Sequence, residues 1–549
     1  MYKVHAKKKD EHKRKIRFNT VIKVHDKNMQ IFESNHHLRQ KLQKKSKLLI
    51  SPAFWLTLFV LLGGFLRSLS LNKELTDFLY CDEAIYQNEI ERIIAQNDFV
   101  TGVFLSGGLN FFPVSFILEL FTKLEPSANA DTRLMIIRFL FPIILSSVTV
   151  ILIYFLAKSL HLSDQVALVS SLLYSIAAFP VSQSHIYYPD SYSVFFGTLA
   201  MYSIVKFMNS TGFNLHFMAF AISLGVSIKY TLICFFLTGI LSIVFKQFNR
   251  SKSIFELLNL ELKFFAMFCF YFAIMNYSIF INPLNFVYDF ATNIANYGVN
   301  DGSKLNAAFF YLVTMLLIPI GIGGSLLVLY GLTILKNKRN LSKNLIVFGS
   351  PILFFLLLTK DANLATVRNI NAFLGMIFIF FGFLLVNLVS SKFRFLGLLV
   401  LVMVVTQSLY YVAQTTREDS RNKASRWINS NVIKGETIGI NPACGYKLLQ
   451  DNDYQLISDP DMAKGYNVYV FDMYWANSEF YNVYSRNSWF LEFNPKYTMF
   501  YHSHNQLPNE MFSFKGFDKS IDTLVPTGYE AKTISGFGPD VIILRKILK

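Results

Sequence analysis

Two adjacent carboxylates, Asp82 and Glu83, follow the first long apolar run, in the stretch "FLYCDEAIYQNEIERII". A carboxylate beside a membrane can act as a general base or as a metal ligand, because it accepts protons and coordinates hard cations. A helix N-cap is an equally open role for Asp82, since its side chain would accept a backbone N–H and contribute about 1 kcal/mol. For Glu83 the favoured interpretation is a charge in the first helical turn, where the helix dipole stabilises it.

Four cations stand near the ends of apolar runs that the threading below assigns to the outer side: Arg138, Lys229, Lys360 and Arg368. The positive-inside rule makes cations less expected there, so each of them calls for an anion or for contact with lipid headgroups. Headgroup contact or pairing with Asp361 is favoured for Lys360. Lys229 has no acid nearby in the sequence, so phosphate binding and a structural role are equally open. The planar fork of Arg368 suits a pair of phosphate oxygens.

A third group of polar side chains lies in "SHIYYPDSY". Asp190 can complete a metal site with Asp82, and oxygen ligands of this kind favour Mg or Mn. His185 and Tyr187 are candidates for substrate contact, although a histidine in a loop is more often simply solvated.

Composition places these residues in a membrane protein. The chain has 549 residues, of which 53% are hydrophobic and only 16% are charged. Apolar runs of roughly 17–25 residues, the length that crosses a bilayer core, recur between residues 50 and 412. A soluble globular protein is thereby excluded. The net charge of +16 is concentrated in residues 1–48, which hold 15 Lys/Arg against 4 Asp/Glu; this predicts a basic cytoplasmic tail beside an uncleaved first helix rather than a nucleic-acid-binding segment.

Eleven crossings with the N-terminus inside satisfy the charge bias. The outer loop 71–133 has 10 Asp/Glu against 4 Lys/Arg, the opposite of the basic tail. We therefore predict a cytoplasmic tail over 1–48, an all-α transmembrane domain over 49–412, and an extracytoplasmic domain over 413–549. The eleven apolar runs span about 50–68, 134–157, 165–181, 191–208, 214–227, 230–247, 264–282, 306–335, 345–359, 367–390 and 395–412.

The C-terminal part of the chain has the composition of a soluble domain, with 15 acids and 15 bases. The helical stretch "REDSRNKASRWINSN" is followed by the β-rich runs "ETIGI", "YNVYVFDMY" and "DVIILRKIL". This pattern predicts a small α/β domain. A disulfide between Cys81 and Cys444 is left open, because the sequence does not give their separation.

Two short helices are predicted in the first outer loop. Tyr86, Ile90, Ile93 and Ile94 recur at helical spacing opposite polar residues, which predicts an amphipathic helix lying in the membrane interface. A Gly-Gly turn follows, and Pro113 then opens a second apolar helix, where its missing N–H costs nothing.

The first half of the chain resembles the GT-C superfamily of polyprenyl-phosphate-sugar-dependent glycosyltransferases, most closely the protein O-mannosyltransferase and aminoarabinose transferase branch. The resemblance rests on the acidic pair in "DEAIYQNEIERI", on Pro113, and on Arg138 in "IIRFLFPIILSSVTVILIYFLAKSL". It continues with Pro189-Asp190 in "SLLYSIAAFPVSQSHIYYPDSYSVFFGTLAMY" and with the lysine of "LGVSIKYT".

This resemblance covers about residues 50–250 well and residues 283–412 loosely. The Arg-Tyr-Pro-type segment of many relatives appears here only as "TVRNINAFLGM", which contains Arg368, and the C-terminal domain matches no family that we can name. The acceptor is therefore left open among lipid, glycan and protein.

The resemblance implies a donor made of a sugar linked to a polyprenyl phosphate. Its phosphate would lie near Lys229, Arg368 and Arg138, while Asp82 would act as the general base, with Glu83 beside it, and the anomeric configuration would be inverted. Asp190, His185 and Tyr187 are the predicted substrate-binding residues. Relatives in this branch resemble metal-independent enzymes, so no cofactor is expected, with Mg or Mn as the alternative.

Two other classes of function are weighed against the enzyme. A multi-pass transporter or flippase would also contain intramembrane cations, but no internal repeat is visible. A non-catalytic scaffold would leave the acidic pair and the cations without a role. A bacterial cytoplasmic membrane is the expected location, and the ER membrane is the alternative.

Overall fold

The computed structural model describes most of the chain from residue 51 to residue 432 and five strands after it. The chain divides into two compact units, residues 1–58 and 59–549. Of the first unit, residues 51–58 are described as the start of helix α1, and every contact given below lies within the second. The described residues are 51–69, 71, 81–98, 100–104, 106–210, 215–248, 253–298, 307–335, 343–359, 367–415, 420–432, 438–440, 454–456, 468–472, 529–534 and 541–546.

Helices dominate the described part of the chain before residue 432, as the apolar runs predict. In chain order they are α1 (Pro52–Ser68), α2 (Cys81–Gln96), α3 (Phe112–Leu124), α4 (Ala130–Arg138), α5 (Ile144–Ser159), α6 (Asp164–Ile176), α7 (Ala178–Gln183), α8 (Pro189–Asn209), α9 (Leu215–Ile228), α10 (Ile233–Phe248), α11 (Ile254–Met275), α12 (Tyr277–Ile281), α13 (Pro283–Gly298), α14 (Ala307–Leu317), α15 (Ile322–Leu335), α16 (Lys343–Leu358), α17 (Leu374–Val389), α18 (Arg394–Thr415) and α19 (Ser420–Asn431).

Tighter and wider helical turns join some of these helices. A π-helical turn, Phe139–Ile143, contains Pro142 and links α4 to α5. Proline cannot donate the backbone hydrogen bond that an α-helix requires, and a π-turn absorbs this defect. Single 3₁₀ segments cover Gly108–Asn110, Tyr230–Leu232 and Val367–Phe373.

Helices are present at every predicted apolar run. Among the described residues, those long and apolar enough to cross are Thr132–Ser159, Tyr230–Phe248, Ile254–Met275, Arg368–Val389 and Arg394–Ala413. The helix α11 leaves Phe255, Leu262 and Phe270 more than half exposed, a continuous apolar surface that marks contact with lipid. The protein is therefore a multi-pass membrane protein, while the number of eleven crossings stays a prediction.

Several features of the bundle differ from the prediction. The runs 165–181 and 264–282, each taken as one crossing, are divided between α6 and α7 and between α11 and α12. The run 306–335, taken as one crossing, is two helices, because the chain turns between α14 and α15, where Gly321 adopts a positive φ of 58°. The helix α13 was not predicted, since "PLNFVYDFATNIANYG" is too polar to read as a crossing.

The two helices of the first outer loop form at the predicted positions, and Pro113 begins α3 as expected. The prediction that α2 contacts the bilayer through its apolar face was wrong. Tyr86, Ile90 and Ile93 are at most 3% exposed, and they join a core that contains Phe111 and Ile228. The apolar face therefore packs on protein: its 3.6-residue period shows that a face is buried, and the tertiary fold supplies the partner.

Close packing of α8 brings a late segment of the chain against this helix. A Cβ atom on Gly197 would lie 2.1 Å from the Ala372 carbonyl oxygen, so only glycine allows this approach. The 3₁₀ segment Val367–Phe373 packs along α8, and it carries Arg368 to the beginning of that helix.

The C-terminal strands form one mixed sheet in the order β2-β1-β3-β5-β4. The strand β1 pairs in parallel with β2 and β3, whereas β5 is antiparallel to β3 and β4. The helix α19 packs on β4 and β5. The predicted helix and the three predicted β-rich runs are thus present, and the domain boundary at residue 413 stays a prediction. The strands are β1 (Ile438–Ile440), β2 (Tyr454–Leu456), β3 (Val468–Asp472), β4 (Tyr529–Ile534) and β5 (Val541–Lys546).

Candidate active site

The acidic pair begins α2, and its second member forms a fully buried ion pair with the end of α4. The Nε and Nη2 atoms of Arg138 donate to Oε1 and Oε2 of Glu83 at 2.8 and 2.6 Å. Both side chains are 0% exposed. The backbone N–H of Tyr187 donates to Glu83 Oε1 at 2.8 Å. Three donors thus hold Glu83, and a bidentate guanidinium is the geometry that best offsets desolvation.

This pairing differs from two expectations. Glu83 was expected to interact mainly with the helix dipole, and its main partner in the structure is Arg138. Arg138 was expected at the donor phosphate, but its fork is directed at Glu83. Nothing in the sequence indicated this pairing, because the two residues are 55 positions apart.

Asp82 lies in the first turn of α2, directly before Glu83. Its side chain lies outside the described part of the structure, so its role as a base stays a prediction. Lys360 and the proposed Cys81–Cys444 disulfide also fall on positions, or on side chains, that are not described.

Three other predicted residues lie together, because Lys229 and Arg368 both face the carboxylate of Asp190. The Nζ atom of Lys229 donates to Oδ1 of Asp190 and, at 2.6 Å, to Oδ1 of Asn369. The Nε atom of Arg368 is 3.7 Å from Asp190 Oδ2. The guanidinium of Arg368 also lies 4.4 Å from the centre of the Tyr188 ring, a cation–π contact. The start of α8, the α9–α10 junction and the 3₁₀ segment Val367–Phe373 together build this cation cluster.

The cation cluster has the charges and the low exposure that suit an anion. Lys229 and Arg368 both face Asp190, and the side chains of Lys229, Arg368 and Asp190 are 15%, 13% and 3% exposed. Two cationic groups that lie this close, in a site with little access for water, can bind an anion strongly. Asn369 was missed in the sequence. It accepts from Lys229 and donates to the Tyr311 hydroxyl at 2.7 Å.

His185 and Tyr187 are buried in the structure. The Nδ1 atom of His185 lies 3.0 Å from the Tyr411 hydroxyl, and the two rings stack. Burial, followed by the charges of Arg67 and Arg138, lowers the pKa of His185 to about 3. The ring is therefore neutral at physiological pH, and it is not the solvated loop histidine that the sequence favoured.

A short strap in the first outer loop, residues 106–110, holds these parts together. Asn110 is fully buried, and its Nδ2 lies 2.8 Å from both Ser106 Oγ and Ile228 O. Its Oδ1 accepts from the Tyr192 hydroxyl at 2.5 Å. The Gly-Gly turn marked the strap in the sequence, whereas Asn110 carried no signal.

A second buried acid, Glu89, organises the loop after α2. Its carboxylate accepts from Arg92 Nε and Nη2, both at 2.9 Å, from Gly102 N at 2.7 Å and from Thr101 Oγ1 at 3.0 Å. Burial alone would raise the pKa of Glu89, but the hydrogen bonds from Arg92, Gly102 and Thr101 outweigh it and lower the pKa below its usual value.

A metal site has no support among the described side chains, where no group of three His, Cys, Asp or Glu residues could hold an ion. Both oxygens of Asp190, the residue expected to assist Asp82 in binding Mg or Mn, face cations. The cofactor prediction remains untested.

Residues 55–298 match the family model of dolichyl-phosphate-mannose-protein mannosyltransferases. The matched region contains the acidic pair, Arg138, Asp190 and Lys229. The resemblance to this branch of the GT-C superfamily is thereby confirmed for residues 55–298. No curated protein matches the sequence significantly.

Two solved structures are similar at low sequence identity. The oligosaccharyltransferase of Archaeoglobus fulgidus is 13% identical with a TM-score of 0.45, covering 72% of this chain and 63% of its own, so this chain spans less than two thirds of that protein. ArnT from Cupriavidus metallidurans bound to undecaprenyl phosphate is 11% identical with a TM-score of 0.49, covering 90% of this chain and 98% of its own.

We predict that the Glu83–Arg138 pair is a strong stability determinant. Arg138→Met should lower the free energy of unfolding by about 3–5 kcal/mol, because it leaves Glu83 charged and buried. The double variant Glu83→Leu/Arg138→Met should recover much of this loss. Unfolding of the purified protein in detergent measures both. The control is Arg133→Met on the same helix, whose partly exposed pair with Glu91 spans 3.7 Å and should contribute less than about 1 kcal/mol.

A double variant no more stable than Arg138→Met would contradict this account of the pair.

Glu89 should give stability a dependence on pH. Its folded-state pKa is lowered, so its contribution is complete above the unfolded value of about 4.3 and is lost as pH falls through the folded pKa. Glu89→Gln should therefore cost about 1–2 kcal/mol at pH 7, and the difference from the natural protein should shrink below about pH 4. Thermal unfolding against pH measures this.

Glu119→Gln is the control for Glu89, because Lys123, the partner of Glu119, is 69% exposed. A Glu89→Gln deficit that stays constant down to pH 3, near the bottom of the ordinary carboxylate range, would refute the assignment.

Proposed function

Because residues 55–298 belong to the dolichyl-phosphate-mannose-protein mannosyltransferase-like branch of the GT-C glycosyltransferases, we propose that the protein transfers a sugar from a polyprenyl-phosphate donor to an acceptor hydroxyl. The single observation that carries this proposal is the cation cluster: Lys229 and Arg368 share one carboxylate, Asp190, in an almost closed site. A phosphate group on a lipid fits the charge and the membrane setting of that site.

The donor phosphate is assigned to Lys229 and Arg368. Lys229 offers a compact charge, and Arg368 offers a planar fork that can bond two phosphate oxygens. Asp190 and Asn369 hold the lysine in place before the donor arrives, so little side-chain entropy is lost on binding. Arg138 is left out of this set because its fork is committed to Glu83.

The general base is assigned to Asp82. Three donors already contact Glu83, two of them from the buried Arg138 guanidinium, so this carboxylate holds α2 against α4. Its neighbour Asp82, at the first turn of the same helix, is left as the member of the pair that can accept a proton. Glu83 then acts by positioning that turn.

The reaction we propose is a single displacement. The oxygen of an acceptor hydroxyl attacks the anomeric carbon, its proton passes to Asp82, and the bond between that carbon and the phosphate oxygen breaks. The electron pair stays on the polyprenyl phosphate, whose growing negative charge Lys229 and Arg368 stabilise. Attack opposite the leaving group inverts the anomeric configuration.

The setting and partners of the reaction are also proposals. We place the site on the extracytoplasmic side of a bacterial cytoplasmic membrane, with the ER membrane as the alternative, because the positive-inside bias assigns the acidic first loop to that side. No metal takes part in this scheme. The family's name specifies mannose and a protein acceptor, and for this chain the acceptor is a lipid, a glycan or a protein.

We predict that the cation cluster binds the donor phosphate. Lys229→Ala and Arg368→Ala should each weaken binding of undecaprenyl phosphate, used as a probe in nanodiscs, by about tenfold or more, since a hydrogen bond to a charged group contributes about 1.5–3 kcal/mol. Lys158→Ala is the control, because its ammonium pairs with Asp164 at a partly exposed site. Unchanged affinity in both cluster variants would remove the phosphate assignment.

We predict that Asp82 is required for transfer but not for donor binding. Asp82→Asn should lower kcat by about 100-fold or more, the usual contribution of general base catalysis, with polyprenyl-phosphate affinity within about twofold. The assay measures sugar transfer from radiolabelled polyprenyl-phosphate sugars to membrane extracts, with EDTA present and absent. Full transfer by Asp82→Asn would overturn the assignment, and donor movement across vesicles without transfer would favour the flippase alternative.

A further inference from the structure

Asn110 uses every polar atom of its side chain and its carbonyl oxygen in buried hydrogen bonds. Its Nδ2 carries two hydrogens and lies 2.8, 2.7 and 2.8 Å from three acceptors, Ser106 Oγ, Gly107 O and Ile228 O, so one hydrogen is shared between two of them. Its Oδ1 accepts from Tyr192, and its backbone oxygen accepts from the Tyr187 hydroxyl. A residue so completely bonded has one orientation, and it fixes the orientation of whatever it contacts.

Some of these hydrogen bonds connect Asn110 to the backbone that carries Lys229, the proposed ligand of the donor phosphate. Ile228 O, which accepts from Asn110 Nδ2, directly precedes Lys229 in the chain and also accepts from Gly107 N at 3.4 Å. The strap lies so close to this junction that a Cβ atom on Gly107 would be 1.9 Å from the Ser227 carbonyl oxygen. Gly108 N adds a bond to Asn276 Oδ1 at 2.8 Å. The backbone that carries Lys229 is thus held by the strap.

The hydrogen bonds from Tyr187 and Tyr192 connect Asn110 to the acidic pair and to the turn that carries Asp190. Tyr187 donates its hydroxyl to Asn110 and its backbone N–H to Glu83. Tyr192, which donates to Asn110 Oδ1, lies two residues after Asp190 on α8. The rings of Tyr187 and Tyr192 stack with centroids 5.9 Å apart. Asn110 therefore stands between the two charged groups of the site and contacts the support of each.

We propose that Asn110 is a positioning residue that sets the separation between the acidic turn of α2 and the Lys229 junction. The inference rests on the proposed function, because that separation matters only if a base on α2 and a phosphate at Lys229 act on one substrate. Transfer requires the base, the acceptor oxygen and the anomeric carbon to be aligned within a fraction of an ångström, and a shift of about 1 Å can cost 100-fold in rate.

The experiment compares Asn110→Ala and Tyr192→Phe with Asn209→Ala, whose side chain ties the far end of α8 to Ser159 O. For each variant, kcat at saturating donor, affinity for undecaprenyl phosphate, and the thermal midpoint in detergent are measured. Asn110→Ala should lower kcat by about 10–100-fold and Tyr192→Phe should lower it by a smaller factor. The change in kcat should exceed any change in affinity for undecaprenyl phosphate. A loss of folded protein would not produce this difference once kcat is expressed per molecule of active protein.

A second pair of variants moves the strap without altering Asn110. Gly107→Ala forces the strap away from Ser227 and should also lower kcat, whereas Gly349→Ala, where a Cβ atom meets nothing within 4 Å, should leave kcat unchanged. If Asn110→Ala does not fold, Tyr192→Phe and Gly107→Ala decide the result.

Values of kcat within twofold of the natural protein in all the strap variants that fold would overturn the positioning role alone. Absence of transfer by the natural protein would instead overturn the proposed function.

Discussion

The buried ion pair between Glu83 and Arg138 is the interaction on which the acidic end of the site depends. Two charges that lose their water must be paired and fully hydrogen-bonded, otherwise their burial costs several kcal/mol. The pair meets this condition through a bidentate guanidinium and the Tyr187 N–H. It thereby fixes the start of α2 against the end of α4, and α2 carries Asp82 in its first turn. A structural carboxylate thus accounts for the position of the proposed catalytic one.

The cation cluster is built differently, because two cations face one carboxylate. Asp190 lies between Lys229 and Arg368, and the low exposure of all three strengthens their interaction with a charged ligand. The fold thus separates two arrangements of buried charge: a closed ion pair that stabilises, and a group of cations that we assign to an anion. Arg138 and Arg368 are both arginines at a similar place in their apolar runs. Because their partners differ, Arg138 belongs to the ion pair and Arg368 to the cation cluster.

Prediction from the sequence succeeded where a local pattern carries the information. The apolar runs gave the helices, the 3.6-residue period gave α2, and Pro113 gave the start of α3, because each rests on interactions within a few residues. It failed where the partner is distant. The Ile face of α2 was assigned to lipid and Arg138 to phosphate, since a sequence shows that a group must be buried or paired without showing by what. Asn110 and Asn369 were missed because an isolated asparagine has no periodicity.

The sequence by itself determined a multi-pass helical membrane protein, its glycosyltransferase resemblance, and most of the charged residues that form the site, because hydropathy, charge bias and short motifs are local properties of the chain. Only the tertiary structure decided which charge meets which. Glu83 and Arg138 are 55 residues apart, and Lys229 and Asn369 are 140 apart. Contacts across such separations are chosen by helix packing, including the close approach at Gly107 and Gly197 that a Cβ atom would prevent.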